Sequence, residues 1–240
     1  MRPKIISHMV ASIDGRLRYQ RWSKPASGIN PDTLDAHYEE TANRFKADGW
    51  MVGRQTAQNM SEGTPRKPKT IPPGDLRGTH VADRKGRAVA VTVDPHGKVH
   101  YGEDHIEGDH VIAILGEQVS DEYLAELRED GVSYVFAGKD GHDMSVALEI
   151  LTKTFGIKTL LLEGGGKING TFLKAGLIDE ISVLIYPGID GLAGVPSIFE
   201  YVGQPDEKPA EGQSLRHLST ETLEGGTVWI RYAVEKESKV

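Results

Sequence analysis

Apolar runs and amphipathic segments alternate between residues 87 and 186, and this alternation constrains the fold more than any other feature of the sequence. The apolar runs are RAVAVTV (87–93), HVIAIL (110–115), VSYVFA (132–137) and IKTLLLE (157–163). Each has the length and the β-branched content of a buried strand. Helical patterns separate them, one capped by Ser120 and one from Asp143 to Phe155 that Gly156 closes. Short links between strands and helices predict an α/β fold, a mainly parallel mixed sheet with helices on both faces.

The two ends of the chain fit the same fold class. Lys4–Ser12 predicts a first strand that ends at the turn Asp14-Gly15. Residues 214–235 predict an antiparallel C-terminal hairpin that turns at Gly225-Gly226. We expect one domain over residues 1–240, with the proline- and lysine-rich segment 62–85 as a surface loop.

Further elements are predicted on each side of this loop. Asn30 as a cap and Pro31 as a first residue predict a helix, which has Leu34, Tyr38, Ala42 and Phe45 on one face. The other predicted elements are a strand at 50–53, a helix at 54–60, a helix ending at Ala175 and a strand at 180–186.

Composition excludes several classes of function. The formal net charge is −7, and no long basic tract offers a surface for nucleic acid. An uninterrupted apolar run of membrane-spanning length is missing from the sequence, which also has no cysteine for disulfides or thiolate sites. We therefore expect a cytoplasmic protein without nucleic-acid or membrane partners. The segment YGEDHIEGDH (101–110) lacks the spacing of a metal site, so we predict a solvated loop there and no metal.

The stretch LLLEGGG (160–166) places three glycines where a strand passes into a helix. Free N–H groups at a helix start can bind phosphate, and glycines allow a ligand to approach the backbone. Close packing of helix and sheet explains the same glycines without a ligand. The stretch matches neither the Rossmann nor the Walker pattern, because Asn169 and Ile168 stand where those patterns need Gly and Ser or Thr.

Two more turns at predicted strand ends carry polar side chains. In MVGRQTA (51–57), Arg54 and Thr56 could bind a phosphate, or could be an exposed residue and a helix cap. In SIDGRL (12–17), Asp14 could orient a substrate or transfer a proton, and an Asx turn explains it equally well. In an open α/β sheet, ligands bind beyond the carboxyl ends of the strands, where all these turns are expected.

Together, SIDG (12–15), VGRQT (52–56) and LLLEGGGKINGTFLKAGLIDEISVLIYPGIDG (160–191) resemble the RibD C-terminal family. Its members are pyrimidine reductases of riboflavin biosynthesis with a dihydrofolate-reductase-like fold. The resemblance extends from about Lys4 to Phe199. It implies a homodimeric reductase that uses NADPH to convert the ribose of a ribosylamino-pyrimidine 5′-phosphate into a ribityl chain. A stand-alone reductase, with no deaminase domain before it, is expected.

The resemblance also assigns roles to single residues. The residues that it implies for NADPH are Gly53, Arg54, Thr56, Gly164, Gly165, Gly166, Lys167 and Ile168. Those implied for the substrate are Ser12, Asp14 and Asn59. Protonation of an imine nitrogen would make its carbon a better hydride acceptor, and Asp14 is the first candidate for that proton, with Glu163 second.

The substrate half departs from the family pattern. Members usually carry an Asp-Pro-x-Leu-type segment and an Arg after the second turn, whereas this chain reads AQNMSEGTPRKPKT (57–70). The helix before Trp50 also lacks the usual His-x-x-Arg spacing. Two alternatives stay open: a reductase of this fold for another small heterocycle, such as a pterin, or for another imine or carbonyl compound, and a nucleotide-binding module without catalysis.

Overall fold

The computed structural model describes residues 1–26, 29–30, 32–70 and 76–237 of the chain. The strands are β1 (Lys4–Ser12), β2 (Gly49–Gly53), β3 (Val89–Val93), β4 (His105–Ile106), β5 (Asp109–Leu115), β6 (Ser133–Phe136), β7 (Thr159–Leu162), β8 (Glu180–Tyr186), β9 (Gln213–Thr222) and β10 (Val228–Lys236). The helices are α1 (Thr33–Asn43), α2 (Arg54–Met60), α3 (Asp121–Asp130), α4 (Met144–Phe155) and α5 (Gly166–Lys174). This is the mixed α/β fold that the alternation predicts.

The chain divides into two compact units. The first comprises Met1–Pro3 and Asp48–Leu160. Its strands are ordered β4-β5-β3-β2, with β6 beside β5. All these pairs are parallel except β4–β5. A buried cluster that includes Val111, Leu124 and Tyr134 forms its core, as expected for parallel strands that are covered on both sides.

The second unit comprises Lys4–Ala47 and Leu161–Val240. Its order is β7-β1-β8-β10-β9, and the last two strands form the predicted antiparallel hairpin. β1 and β8 pair in parallel, in a register that sets Ser12 opposite Tyr186. Because both strands end at this point, the loops that follow them leave the sheet side by side.

Local signals for the helix ends are confirmed. The Ser120 hydroxyl accepts the N–H of Tyr123 at 3.2 Å, and the Asp143 carboxylate accepts the N–H of Val146 at 3.1 Å. Gly131 and Gly156 end α3 and α4 with φ of 77° and 71°. Only glycine adopts this left-handed conformation at little cost, which explains why these helices end there.

The first helix is shorter than predicted. α1 ends at Asn43, so Phe45 lies beyond it, because the chain turns at Lys46 with a φ of 48°. The Asn30 side chain accepts the N–H of Asp32 at 3.0 Å, which is an Asx turn before the helix. Pro31 and the side chain of Leu34 lie outside the described residues.

The prediction of a loop at 101–110 is wrong in one respect. His105 and Ile106 pair with His110 and Asp109, which makes β4 and β5 a tight hairpin. Its two central residues, Glu107 and Gly108, have φ of 51° and 87°, as a type I′ turn requires. A strand of two residues is too short for a periodic signal, which is why the sequence did not predict it.

The segment 62–85 has no helix or strand in its described parts, 62–70 and 76–85, apart from a bridge between His80 and Tyr134. Leu76 is nevertheless buried, and its carbonyl oxygen accepts the Tyr134 hydroxyl at 2.8 Å. Residues 71–75 lie outside the described part. Within the described ranges, every helix is too short or too polar to cross a bilayer.

Candidate functional site

The three glycines after β7 have different surroundings. Gly164 has a φ of 93°, and a Cβ there would lie 2.9 Å from the Met9 side chain. A Cβ at Gly166 would lie 2.2 Å from the carbonyl oxygen of Ser197. Gly165 has no protein atom within 4 Å of such a position. Packing therefore explains the outer two glycines, while the middle one borders open space. The peptide bond between Gly164 and Gly165 is cis.

The start of α5 lacks the side-chain cap that α3 and α4 have. Its N-cap is Gly165, which has no side chain that could accept the first N–H groups. The first turn contains Lys167 and no acidic residue. Open N–H groups and a cation at a helix start favour an anion. The segment from Gly164 to Ile168 can therefore hold a phosphate group that approaches the backbone on the side of Gly165.

Glu163 precedes this turn and interacts with Tyr38 of α1. The Tyr38 hydroxyl lies 3.2 Å from the carbonyl oxygen of His8 and also hydrogen-bonds to the Glu163 carboxylate, so its single hydrogen is shared between two acceptors. Burial, followed by the charge of Glu163, raises the pKa of Tyr38 well above its ordinary value. The phenol is therefore protonated at neutral pH and faces the carboxylate as a neutral donor.

A buried chain of hydrogen bonds fixes His8 beneath Tyr38. The indole N–H of Trp229 donates to the Ser182 hydroxyl at 2.8 Å, and that hydroxyl bonds Nδ1 of His8 at 2.9 Å. The ring centroids of His8 and Tyr38 are 4.6 Å apart. Burial lowers the pKa of His8 to about 4, so the imidazole is neutral at pH 7. This arrangement connects β1, α1, β8 and β10.

Asp14 joins the loop after β1 to the loop after β8. Its carboxylate accepts the Ser12 hydroxyl at 2.6 Å and the N–H groups of Gly191 and Asp190 at 2.9 and 3.1 Å. The Arg16 guanidinium lies 3.8 Å away. Hydrogen bonds from Ser12 and then Gly191 lower the pKa of Asp14 to about 2.

This low pKa argues against the role of proton donor that the sequence suggested for Asp14. A carboxyl group with a pKa of about 2 is ionised at neutral pH and has no proton to give. Its hydrogen bonds with Ser12 and the 190–191 loop suit a carboxylate that shapes the rim of the sheet. That Ser12 and Asp14 contact a substrate stays a prediction.

We expect Asp14 to make unfolding pH-dependent in acid. Its pKa is about 2 in the folded chain against an ordinary value of 3.8, so its contribution is present above pH 3.8 and is lost as the pH falls towards 2. Urea unfolding of Asp14→Asn should show a weaker fall in unfolding free energy over this range than the wild type. Asp206→Asn, a change at an exposed carboxylate, is the matched control. An equal fall in wild type and Asp14→Asn would contradict the assignment.

In the first unit, Arg54 lines an open pocket of about 620 Å³. Gly53 forms the N-cap of α2, and the Arg54 guanidinium donates to Gln58 at 2.9 Å. His96, Lys98 and His100 line the same pocket. None of the residues that the structure describes along its wall is acidic. The pocket is therefore suited to an anion.

Two buried carboxylates hold the wall of this pocket in place. Asp94 accepts the N–H groups of Lys98 and Val99 at 2.5 and 2.8 Å, which fixes the turn after β3. Glu126 lies 2.6 Å from Nδ1 of His100. Neither carboxylate residue is part of the pocket lining, in which Arg54 and Lys98 provide the positive charge.

The sequence did not predict His96, Lys98 or His100. A usable signal existed, because DPHGK (94–98) follows directly on a predicted strand and so belongs at its carboxyl end. Thr56 lies half-buried on α2, and the exposed Asn59 accepts a long contact, 3.4 Å, from Gln55. A substrate role for Asn59 stays a prediction.

Each unit thus carries one set of the predicted residues. Ser12, Asp14 and the segment from Glu163 to Ile168 lie in the second unit, and the segment from Gly53 to Asn59 lies in the first. A dinucleotide cleft formed by both sets stays a prediction. Over the described ranges there is no group of three or more His, Cys, Asp or Glu side chains that could hold a metal ion.

Comparison with known proteins identifies relatives along almost the whole chain. The sequence model of the RibD C-terminal domain matches residues 3–229. A 2,5-diamino-6-ribosylamino-4(3H)-pyrimidinone 5′-phosphate reductase of Methanothermobacter thermautotrophicus is 31% identical over 237 residues, 98% of this chain and 100% of the relative. A reductase of the same name from Aquifex aeolicus is 27% identical over 198 residues, 82% of each chain.

A solved structure has the same fold. It is a pyrimidine reductase-like protein from Corynebacterium diphtheriae, which superposes with a TM-score of 0.68 over 98% of this chain and 93% of its own. The two sequences are 18% identical, so this likeness concerns the fold alone.

Proposed function

Because this chain belongs to the RibD C-terminal domain family, we propose that it is an NADPH-dependent reductase of riboflavin biosynthesis. Its substrate would be 2,5-diamino-6-ribosylamino-4(3H)-pyrimidinone 5′-phosphate, whose ribosyl chain it would reduce to a ribityl chain. The observation that carries this proposal is the full-length similarity to the reductase of Methanothermobacter thermautotrophicus. The open, uncapped glycine turn at the start of α5 supports it independently.

The residues of the glycine turn fit a nicotinamide dinucleotide. Gly165 leaves space at the backbone, and the first N–H groups of α5, together with Lys167, favour a phosphate. When bound, NADPH supplies the hydride. The chain itself has to hold the substrate carbon against the nicotinamide in an orientation that allows hydride transfer.

Glu163 is the residue that we assign to the reacting nitrogen. Opening of the ribosylamine ring gives an imine at C1′ of the sugar. Hydride addition to this carbon and one proton from water on the nitrogen give the ribitylamine. An ionised carboxylate beside the nitrogen stabilises the protonated imine, which is the better hydride acceptor. Asp14, as a permanent carboxylate, would hold the rim loops in place around the sugar.

The pocket of the first unit supports NADPH in preference to NADH. NADPH differs from NADH by one phosphate, and the pocket presents the cations Arg54 and Lys98 together with two imidazoles. A guanidinium and an ammonium that line one pocket suit a phosphate with two negative charges. We therefore place the extra phosphate of the cofactor in this pocket.

Charge reversal at Lys98 tests this placement. We expect Lys98→Glu to raise the dissociation constant for NADPH about 10- to 100-fold at low salt, since a charge-assisted contact is worth about 1.5–3 kcal/mol. Binding of NADH should change little, and the effect should shrink with added salt. Calorimetry with both cofactors measures this. Lys139→Glu, which changes the same charge on an exposed loop outside the pocket lining, is the control. Equal losses for NADPH and NADH would contradict the placement.

One observation favours a second candidate. The family's usual Asp-Pro-x-Leu-type segment is missing from residues 57–70. A reductase of this fold that acts on another small heterocycle would have no need of it. The family also leads us to propose a homodimer in the cytoplasm.

Growth of a riboflavin-requiring strain tests the leading candidate. A cell that lacks its pyrimidine reductase should grow without riboflavin when it expresses this chain. Failure of a folded, NADPH-binding protein to restore growth would favour the second candidate. Failure to bind NADPH at all would exclude both reductases.

A further inference from the structure

We propose that Tyr38 is a positioning residue for Glu163, and that its hydroxyl holds the Glu163 carboxylate towards the reacting nitrogen of the substrate. Tyr38 itself would not touch the substrate. The inference rests on the proposed reductase function, but the contact between the two residues can be tested without it.

Tyr38 and Glu163 converge on the same place in β1. The Tyr38 hydroxyl lies 3.2 Å from the carbonyl oxygen of His8. The residue after Glu163, Gly164, borders the side chain of Met9, the next residue of β1. Helix α1 and the turn that precedes α5 therefore lie against neighbouring residues of β1, where the Tyr38 hydroxyl hydrogen-bonds to the Glu163 carboxylate.

The Tyr38 ring is held before any ligand arrives. It lies against the buried imidazole of His8, which is fixed in turn by Ser182 and Trp229. The backbone carbonyl of Tyr38 also accepts the Thr41 hydroxyl at 3.0 Å. A side chain fixed in this way loses little entropy when it orients another group. It can keep Glu163 in one geometry through the catalytic cycle.

Only a protonated phenol can perform this role. Burial and the neighbouring carboxylate both disfavour the phenolate of Tyr38, so it remains a donor at every pH at which the enzyme would work. A donor that faces a carboxylate stabilises its charged form. The ionised Glu163 then favours the positive charge that develops on the imine nitrogen.

Removal of the Tyr38 hydroxyl tests whether this residue positions Glu163 or only supports the fold. In Tyr38→Phe, the ring still packs against His8, but Glu163 loses a donor. We expect kcat to fall about tenfold, with the KM for NADPH nearly unchanged. The acid limb of the pH profile of kcat/KM should move up by about one pH unit, because the carboxylate is less stabilised. In a variant that already carries Glu163→Gln, the additional change Tyr38→Phe should lower kcat little further, because the carboxylate that the hydroxyl orients is gone.

A control and a measurement without substrate complete the test. Tyr101→Phe removes another buried hydroxyl, which bonds Thr92 at 2.5 Å in the first unit, and should leave the pH profile in place. Carbon-13 NMR of labelled glutamate should show the Glu163 carboxyl, identified by its loss in Glu163→Gln, titrating at higher pH in Tyr38→Phe than in wild type.

Two results would overturn the inference: an unchanged Glu163 titration in Tyr38→Phe, or an equal shift of the acid limb in Tyr101→Phe. If Tyr38→Phe fails to fold, the test uses the carbon-13 resonance of the Tyr38 ring carbon that bears the hydroxyl. This resonance must change in Glu163→Gln, and an unchanged resonance would equally refute the contact. If Tyr38→Phe shifts the Glu163 titration but the wild type has no reductase activity, the proposed function is wrong and the contact stands.

Discussion

Alanine at Gly165 is expected to weaken NADPH binding about 10- to 100-fold and to leave the stability of the ligand-free protein near that of the wild type. The methyl group would meet no protein atom within 4 Å, so it enters open space at the start of α5. A phosphate bound to the first N–H groups of the helix needs this space. Loss of one charge-assisted hydrogen bond, worth about 1.5–3 kcal/mol, accounts for the expected change in affinity.

Calorimetry with NADPH and thermal unfolding of the free protein measure the two parts of this prediction. Gly78→Ala is the matched control, because Gly78 also has no atom near a Cβ but lies outside the glycine turn. It should bind NADPH like the wild type. Undiminished binding by a folded Gly165→Ala variant would mean that no phosphate approaches the backbone at this glycine.

Alanine at Gly166 is expected to have the opposite profile, a large loss of stability. A Cβ would lie 2.2 Å from the carbonyl oxygen of Ser197, so α5 or the segment around Ser197 must move. The same glycine accepts the N–H of Glu200 at 2.9 Å, a bond that this movement would strain. Overpacking of this kind costs about 1–3 kcal/mol, and backbone atoms yield less easily than side chains.

Urea unfolding should therefore show a free energy of unfolding at least about 1 kcal/mol lower for Gly166→Ala than for wild type. Gly165→Ala serves as its control, since the two changes add the same methyl group one residue apart. Equal stability of the two variants would contradict the packing that distinguishes these glycines.

These neighbouring glycines show which features of the site the sequence could predict and which it could not. A run of glycine between a strand and a helix is a local pattern, so the junction and its suitability for phosphate could be predicted. Which glycine serves packing depends on Ser197, about thirty residues further along the chain. No local pattern reports such a contact, and the choice between phosphate binding and packing stayed open for that reason.

The same limit applies to the polar residues of the candidate site. The turn at Asp14-Gly15 was visible, but the N–H groups of Asp190 and Gly191, which lower the pKa of Asp14, come from a distant loop. Tyr38 was predicted as one position on the apolar face of a helix. Its hydroxyl meets Glu163 only because this residue, just after β7, comes next to α1 in the folded second unit.

Helices and strands were predicted best where their ends carry their own signals. β1, α2 and β8 have the predicted bounds, and α3 and α4 begin at their predicted caps. β4 and the early end of α1 were missed, because a two-residue strand and a positive φ at Lys46 leave no periodic pattern. Lys98 and His100 were missed because they meet Arg54 only in the folded pocket.

Turnover with the defined pyrimidine tests the central claim most directly. The purified protein is mixed with NADPH and 2,5-diamino-6-ribosylamino-4(3H)-pyrimidinone 5′-phosphate, and the loss of NADPH absorbance is followed together with the mass of the product. We expect NADPH oxidation that depends on the pyrimidine, with a product heavier by two hydrogens. A folded protein that binds NADPH but leaves both compounds unchanged would contradict the proposed function.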